Sequence, residues 1–203
     1  IEYFRRPQHT PPPGSTPFVD RMMVEKNSIR LDSLSYSRWA GFSDKLSALL
    51  KLLPVYTEGV SIQQVALEYV DVFVALEPGE ADCSLILDPA SDCISPRAFH
   101  ATTEWHSHTG WFEDFNADIH RTLVNVDVTV ANANTPEGVR RAISIRTHQA
   151  LQFSMSEGAE NAAGQLKEED VLTIFGQIHV ALKDRFGALL TPEAKELISL
   201  GAE

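Results

Sequence analysis

The sequence predicts an α+β protein in which two main helices pack on a largely antiparallel sheet. Three observations lead to this prediction: a long pair of alternating stretches joined by a turn, several shorter extended runs, and two amphipathic helical stretches. The chain has 203 residues, of which 43% are apolar, so it can bury a substantial core. The individual elements follow from the local pattern in each region.

The strongest signal lies between Asp118 and Phe153. In the first arm, apolar residues alternate with polar ones at Val124, Val126, Val128 and Val130. In the return arm, the corresponding apolar face is formed by Ile143, Ile145, Thr147 and Leu151. A period of two residues is typical of a strand with one buried side. Residues 131–138 contain Asn, Pro and Gly, which favour turns, so the region is predicted to form a hairpin.

The first part of the chain contains an arm, a hairpin and a helix. Residues 1–20 are rich in proline and predict an extended arm or linker that cannot form a helix. Two short apolar runs within residues 21–34 predict a second hairpin. Apolar residues at three- and four-residue steps from Ser37 predict an amphipathic helix that ends at Pro54.

The middle of the chain predicts three extended segments. Residues 60–76 are apolar at both alternating positions, which is typical of a strand covered on both sides. Residues 83–87 predict a short strand that ends at the turn Asp88-Pro89. Residues 101–115 return to an extended pattern that includes two tryptophans.

The end of the chain predicts two helices. Residues 168–186 place apolar side chains on one helical stripe. The triplet Thr191-Pro192-Glu193 provides an N-cap, a first-turn proline and an acidic first turn for a short terminal helix. We therefore predict that residues 21–203 form one α+β domain, while two fused halves, 21–100 and 101–203, remain an alternative.

Charge and composition limit the classes of partner. The chain has 17 Lys and Arg against 28 Asp and Glu, and its net charge of −11 repels nucleic acids and anionic membranes on average. No apolar run approaches the roughly 20 residues needed to cross a bilayer, and we predict a cytoplasmic protein without membrane contact. The two cysteines, Cys83 and Cys93, are predicted to be free thiols.

Several segments resemble a sporadically distributed family of uncharacterised prokaryotic proteins. The segments are Tyr36-Ser-Arg-Trp39, the run from Val65 to Phe73, and the stretch from Ile178-His179 through Phe186 to Leu190-Thr-Pro-Glu193. The resemblance covers residues 20–200, and it departs from the family at Glu68-Tyr69-Val70-Asp71, where members commonly have a more basic strand. It implies an accessory protein of a bacterial toxin-antitoxin or defence system, and it implies no activity, cofactor or catalytic residue.

One motif has the residue types of a metal site. Glu104, His106 and His108 alternate along a predicted strand and would project from the same face, where a carboxylate and two imidazoles can bind zinc. The more common explanation of such a pattern is a polar strand face exposed to solvent or to a partner. The chain has no Gly-x-Ser-x-Gly sequence, no phosphate-binding loop and no dinucleotide-binding glycine pattern, so we favour a protein that is not an enzyme.

Aromatic residues around the same motif favour a binding function. Trp105, Trp111, Phe112 and Phe115 are the residue types that supply contact energy at protein interfaces. The leading hypothesis is therefore a non-enzymatic protein-binding or assembly module without a cofactor, which binds a protein partner or a second copy of itself. A metal-dependent hydrolase using Glu104, His106 and His108 with zinc is the alternative.

A nucleic-acid-binding module is the second alternative. Three arginines, Arg140, Arg141 and Arg146, cluster in the return arm of the hairpin, where they could contact phosphates. The acidic net charge argues against this function, and an exposed polar strand face is the more common explanation of such a cluster.

Overall fold

The structure, a computed structural model, describes residues 4–5, 20–33, 38–52, 62–77, 82–101, 103–116, 120–153 and 168–200. Its strands are β1 (Phe4–Arg5), β2 (Asp20–Val24), β3 (Ile29–Ser33), β4 (Gln64–Ala75), β5 (Trp105–Asn116), β6 (His120–Thr135) and β7 (Gly138–Phe153). Its α-helices are α1 (Trp39–Leu52), α2 (Glu168–Ala188) and α3 (Pro192–Leu197). The predicted α+β class and its two main helices are confirmed.

Five strands form one antiparallel sheet in the order β1-β4-β7-β6-β5. The predicted hairpin of residues 21–34 is also present, and its strands β2 and β3 form a separate two-stranded sheet. In the main sheet, β4 comes from the first predicted half and lies between β1 and β7. Both predicted halves, 21–100 and 101–203, therefore contribute strands to the same sheet.

The hairpin of β6 and β7 has a tighter turn than the sequence predicts. Thr135 is the partner of Gly138, so only Pro136 and Glu137 form the turn, and pairing extends into the predicted turn region 131–138. Gly138 has a φ angle of 114°, which glycine adopts without the steric cost of a side chain. The Thr135 hydroxyl also donates to the Gly138 carbonyl at 2.8 Å. Because Gly138 adopts a left-handed backbone conformation, the pairing of β6 with β7 continues up to the two-residue turn.

Both main helices pack on one side of the sheet, which we call the inner face; the opposite side is the outer face. Helix α2 contacts β4 and β7, and α1 contacts α2. The first core cluster includes Phe73, Ile86, Leu87, Ile94, Val126, Val128, Val130, Ile143, Ile145, Leu189 and Leu190. The second includes Leu46, Leu50, Val65, Leu67, Leu151, Val171, Ile178 and Leu182. Apolar burial on this one face accounts for the alternation along β4, β6 and β7.

The prediction that residues 60–76 are covered on both sides is wrong for the middle of the strand. Val70 lies on the outer face of β4 and is 53% exposed, whereas its neighbours Tyr69 and Asp71 face inward. The reason is that α1 and α2 occupy the inner face only. Apolar residues at both alternating positions therefore predicted the strand correctly, but they did not predict which of its faces is covered by other elements.

The predicted strand at residues 83–87 is also wrong. Cys83–Leu85 form a 3-10 turn, because the Asp82 carboxylate accepts hydrogen bonds from the backbone and hydroxyl of Ser84 and caps the turn. Only Leu87 makes a strand-like contact, an isolated bridge to Leu190. Residues 83–87 therefore pack against the core as a capped turn and not as a strand.

Other predictions concern the two ends of the chain. In the predicted arm, Phe4–Arg5 pair with Val74–Ala75, and the arm otherwise lies outside the described residues except for Asp20. At the other end, the Thr191 hydroxyl accepts from the Ala194 amide and confirms the predicted cap of α3. Both cysteines are free thiols, as predicted.

None of the helices that the structure describes combines the length and the apolar character required to span a membrane.

Candidate functional site

The outer face of the sheet presents a row of ionisable side chains from four strands. The register places His108 of β5 opposite Asp127 of β6, and Asp127 opposite Arg146 of β7. Glu68 of β4 completes the row, with its Oε2 4.0 Å from Nε of Arg146. We call His108, Asp127, Arg146 and Glu68 the outer polar row. Each member occupies an outward position because its neighbours along the strand are needed for the core.

Asp127 lies between two imidazoles. Nδ1 of His108 donates to Oδ1 of Asp127 at 2.5 Å, and Nε2 of His106 is 3.8 Å from the same oxygen. Nδ1 of His106 is hydrogen-bonded to the Thr129 hydroxyl at 2.9 Å. The two imidazole side chains are 56% and 54% exposed, whereas the Asp127 side chain is 25% exposed. The cross-strand contacts therefore fix the orientation of both rings on an accessible surface.

A third histidine lies beside the row. His148 is the cross-strand partner of both Glu68 and Asn125, and it is half-buried. Burial lowers the pKa of His148 below its ordinary value, and the attraction of Glu68 acts in the opposite direction. Its Nδ1 is buried without a hydrogen-bond partner among the described residues. At neutral pH this ring is therefore an uncharged polar group next to charged neighbours.

Gly110 makes room for an Asn125 side chain on the outer face. A Cβ atom at position 110 would lie 2.6 Å from Oδ1 of Asn125, which is too close for a real contact. The overlapping atom is the far end of a flexible side chain, so a larger residue at position 110 fits only if the Asn125 side chain moves.

Replacing Gly110 with alanine is expected to displace the Asn125 side chain, and this cost should offset the roughly 0.5–1 kcal/mol by which alanine stabilises a strand relative to glycine. Gly176→Ala is the matched control, because a Cβ there meets no atom within 4 Å and alanine favours the helix. Urea denaturation of the two variants measures the difference. Equal stability of both variants would show that Asn125 moves away at no cost.

Two exposed apolar side chains lie on the outer face near the two ends of the row, Phe112 on the same strand as His108 and Val70 directly opposite Arg146. Phe112 of β5 is 51% exposed, and the guanidinium carbon of Arg121 lies 3.8 Å from the centre of its ring. Val70 is exposed to a similar extent on the same face, on strand β4. Stacking of the cation on the ring holds the aromatic side chain on the surface. The outer face thus combines an oriented polar row with an aromatic and an aliphatic contact.

The residues predicted as metal ligands contact different partners. Glu104 Oε1 accepts from the backbone amide of Asn132 at 2.9 Å, while His106 and His108 make the contacts with β6 given above. Within the described ranges, no group of three or more His, Cys, Asp or Glu residues is placed to hold a metal ion. The zinc-dependent hydrolase stays a prediction.

The aromatic residues predicted for an interface lie on two faces. Trp105 and Trp111 are half-buried on the inner face, where they pack against the first core cluster. Trp111 Nε1 also donates to the Glu113 carboxylate at 2.8 Å. Phe112 is exposed on the outer face, and the side chain of Phe115 lies outside the described residues. Of the residues described, Phe112 is therefore the aromatic available on the outer surface.

The three arginines predicted for nucleic-acid binding do not form one patch. Arg141 is buried on the inner face, and its Nη2 donates to the Thr103 carbonyl at 2.8 Å. Arg140 and Arg146 lie on the outer face, but six residues of an extended strand separate them by roughly 20 Å. The nucleic-acid hypothesis stays a prediction, and the three arginines on which it was based do not form one basic surface.

Sequence reasoning missed the acidic members of the row. Asp127 was recognised only as part of the polar face of a strand, and Glu68 only as part of an apolar strand. His179 of α2 is half-buried, and its ring contacts residues of α1 and β4. His179 stacks on Trp39 with ring centres 4.4 Å apart, and its Nδ1 is 2.9 Å from the Tyr69 hydroxyl.

Comparison of the chain with protein-family models, with curated proteins and with solved structures finds no match. The resemblance to a family of prokaryotic proteins therefore stays a prediction. The geometry of the outer face is the basis for the function proposed below.

Proposed function

We propose that the protein is a non-enzymatic binding module that docks a protein partner on the outer face of its sheet. The observation that supports this proposal best is that the outer polar row shares one accessible face with the exposed side chains of Phe112, on the strand of His108, and Val70, opposite Arg146. Protein interfaces combine a few aromatic or aliphatic anchors with oriented polar groups. A surface whose side chains are already ordered by cross-strand contacts loses less conformational entropy on binding.

The charge pattern favours a protein over a nucleic acid. The acidic residues Asp127 and Glu68 lie on either side of Arg146, so a phosphate near the arginine would meet two carboxylates. The net charge of −11 adds repulsion at longer range. A protein partner can supply both signs of charge, and alternating charges fix the register of such a contact.

The exposure of the imidazoles favours binding over catalysis. General acid-base groups act best in sites that exclude water, where their electrostatic effects are strongest. His106 and His108 are both more than half exposed, and each already has a hydrogen-bond partner on β6. The rings are thus positioned as contact groups. The toxin-antitoxin or defence setting rests on the sequence resemblance alone and stays a prediction.

Site-specific photo-cross-linking tests the proposal. A benzoylphenylalanine residue is placed at Phe112, at Val70, or at Val180, which is 57% exposed on α2 and serves as the control. In a lysate of the source cells, we expect one protein adduct that forms from both outer positions and not from position 180. Mass spectrometry identifies the adduct. Adducts that form equally from position 180, or no adduct from either outer position, would contradict the proposal.

A further inference from the structure

Strand β5 is a long edge strand. It runs for 12 residues, and among the described residues it pairs only with β6. The other edge of the sheet, β4, is partly covered by the pairing of β1 with Val74 and Ala75. An unpaired edge presents a row of backbone amide and carbonyl groups that can pair with another strand.

We infer that β5 pairs in an antiparallel manner with β5 of a second copy of this chain, about a twofold axis that passes through Gly110. This contact uses the edge of the sheet, so it goes beyond the binding of a protein partner on the outer face. Three features of β5 support pairing with a second copy and determine which residues face each other. They are the alternation of inner and outer side chains, the residue at which regular pairing with β6 ends, and the charges that meet across the axis.

The alternation of side chains between the two faces, and the length over which β5 is regular, limit which residues can pair across the axis. A continuous sheet must place outer side chains of one copy opposite outer side chains of the other, so the axis has to pass through a residue and not between two residues. The pairing of β5 with β6 is regular from Trp105 to Asp114 and becomes irregular between Asp114 and Asn116. The longest regular overlaps therefore place the axis at Thr109 or at Gly110.

The charges distinguish these two registers. With the axis at Thr109, the regular overlap covers residues 105–113, so Asp114 falls outside it and His106 lies opposite the uncharged Phe112 of the second copy. With the axis at Gly110, His106 lies opposite Asp114 of the second copy at both ends instead. In the same register His108 lies opposite Phe112 of the second copy, and two glycines meet at the axis. The strand is thus complementary to itself only in the second register.

The side chains that would meet are accessible. His106 and Asp114 are both exposed on the outer face of β5. Both ring nitrogens of His106 lie toward β6, with Nδ1 at the Thr129 hydroxyl and Nε2 3.8 Å from Oδ1 of Asp127, so we expect the ring to turn toward Asp114 of the second copy when the edges pair. An imidazole can donate to a carboxylate in its neutral form, so the contact does not require protonation of the ring. Glycine in the interior of a strand also allows another backbone to approach closely.

The pairing has a structural consequence for the whole protein. The two five-stranded sheets would join into one continuous sheet with both outer faces on the same side. The two outer polar rows would then lie side by side across the new junction. A partner with a repeated surface would contact both rows at once, and the second contact would be intramolecular.

Sedimentation velocity over a wide concentration range tests the inference. We expect the unmodified protein to form a dimer. His106→Glu places two carboxylates opposite each other at both ends of the junction and is expected to raise the dissociation constant roughly tenfold. Adding Asp114→Lys to this variant restores opposite charges and is expected to restore the dimer. Val70→Glu adds the same charge on the outer face of β4 and should leave the dissociation constant unchanged.

Oxidative trapping tests the register. Positions 108 and 112 lie roughly 13 Å apart within one extended strand, which is beyond the reach of a disulfide, but they are opposite each other across the inferred axis. The double variant His108→Cys and Phe112→Cys is expected to form a covalent dimer. Peptide mapping should join position 108 of one copy to position 112 of the other.

The results separate this inference from the proposed function. A protein that stays monomeric at all concentrations, or a dimer that His106→Glu and Val70→Glu weaken equally, would overturn the β5 pairing. A monomer that still cross-links a protein from Phe112 and Val70 would leave the proposed outer-face function in place. Circular dichroism of each variant checks that the fold is retained.

Discussion

Replacing Phe73 with alanine is expected to lower the free energy of unfolding by about 3–5 kcal/mol. Phe73 lies on the inner face of β4 and is 1% exposed, within the first core cluster that joins the sheet to the residues 86–94. Removal of the ring loses its transfer free energy and leaves a cavity among side chains from three different parts of the chain. Urea denaturation followed by circular dichroism measures the change.

Val70→Ala on the same strand is the matched control. Val70 points to the outer face and is largely exposed, so its truncation is expected to change the free energy of unfolding by less than about 0.5 kcal/mol. The two substitutions therefore test whether β4 has one covered face. Similar losses from both variants would show that the outer face of β4 is also buried, as the sequence predicted.

The elements that sequence reasoning predicted well are those whose burial follows from local periodicity. The alternation from Val124 to Val130 required only that one side of a strand is buried, and the structure buries that side. The predicted cover of β4 failed at Val70 because helices on one side of a sheet are positioned by tertiary packing. A local pattern contains no information about which face the helices choose.

The outer polar row was not predictable for a different reason. His108, Asp127, Arg146 and Glu68 come from four strands that are distant in sequence, and only the strand order and register bring them together. The sequence identified His106 and His108 because two histidines alternate within one strand. Their carboxylate partner proved to be Asp127 across the strand pair and not Glu104 along the same strand.

Glu113 shows why the partner of a side chain cannot be read from a local pattern. The sequence predicts an extended segment over residues 101–115, and β5 runs from Trp105 to Asn116, so Glu113 lies within a strand. Glu113 points to the inner face, where α2 supplies Arg185 as its partner. The ion pair therefore follows from the packing of a helix that is distant in sequence, and the pattern of the strand does not specify that packing.

Arg185→Met is expected to lower the free energy of unfolding by about 2 kcal/mol. Nη1 of Arg185 donates to Oε1 of Gln149 at 2.6 Å, and Nη2 donates to Oε2 of Glu113 at 2.5 Å. Gln149 is 3% exposed, so its carbonyl oxygen would lose a donor in a place that water reaches poorly. The Glu113 side chain is 39% exposed, so solvent screening limits the Coulomb part of the loss.

A double-mutant cycle with Glu113→Gln separates the ion pair from the contact with Gln149. If Arg185 and Glu113 stabilise each other, the double variant should lose about 1 kcal/mol less than the sum of the two single losses. Additive losses would mean that the guanidinium acts through Gln149 alone. Thermal and urea denaturation of the four proteins provide the required free energies.

The same pair predicts an acid dependence of stability. Burial raises the pKa of Glu113, but hydrogen bonds from Trp111 and Arg185 lower it more, so the pKa lies below its ordinary value of 4.5. As the pH falls, Glu113 therefore takes up its proton in the unfolded chain before it does so in the folded chain. The contribution of Glu113 to the free energy of unfolding is complete above pH 4.5, and it is lost as the pH falls through the lower pKa of the folded state. Glu113→Gln should flatten this loss, whereas Asp184→Asn, which changes an exposed carboxylate on α2, should retain it. An unchanged acid dependence in Glu113→Gln would show that the pair does not contribute to stability, because a carboxyl stabilised by Arg185 must take up its proton at lower pH in the folded chain than in the unfolded one.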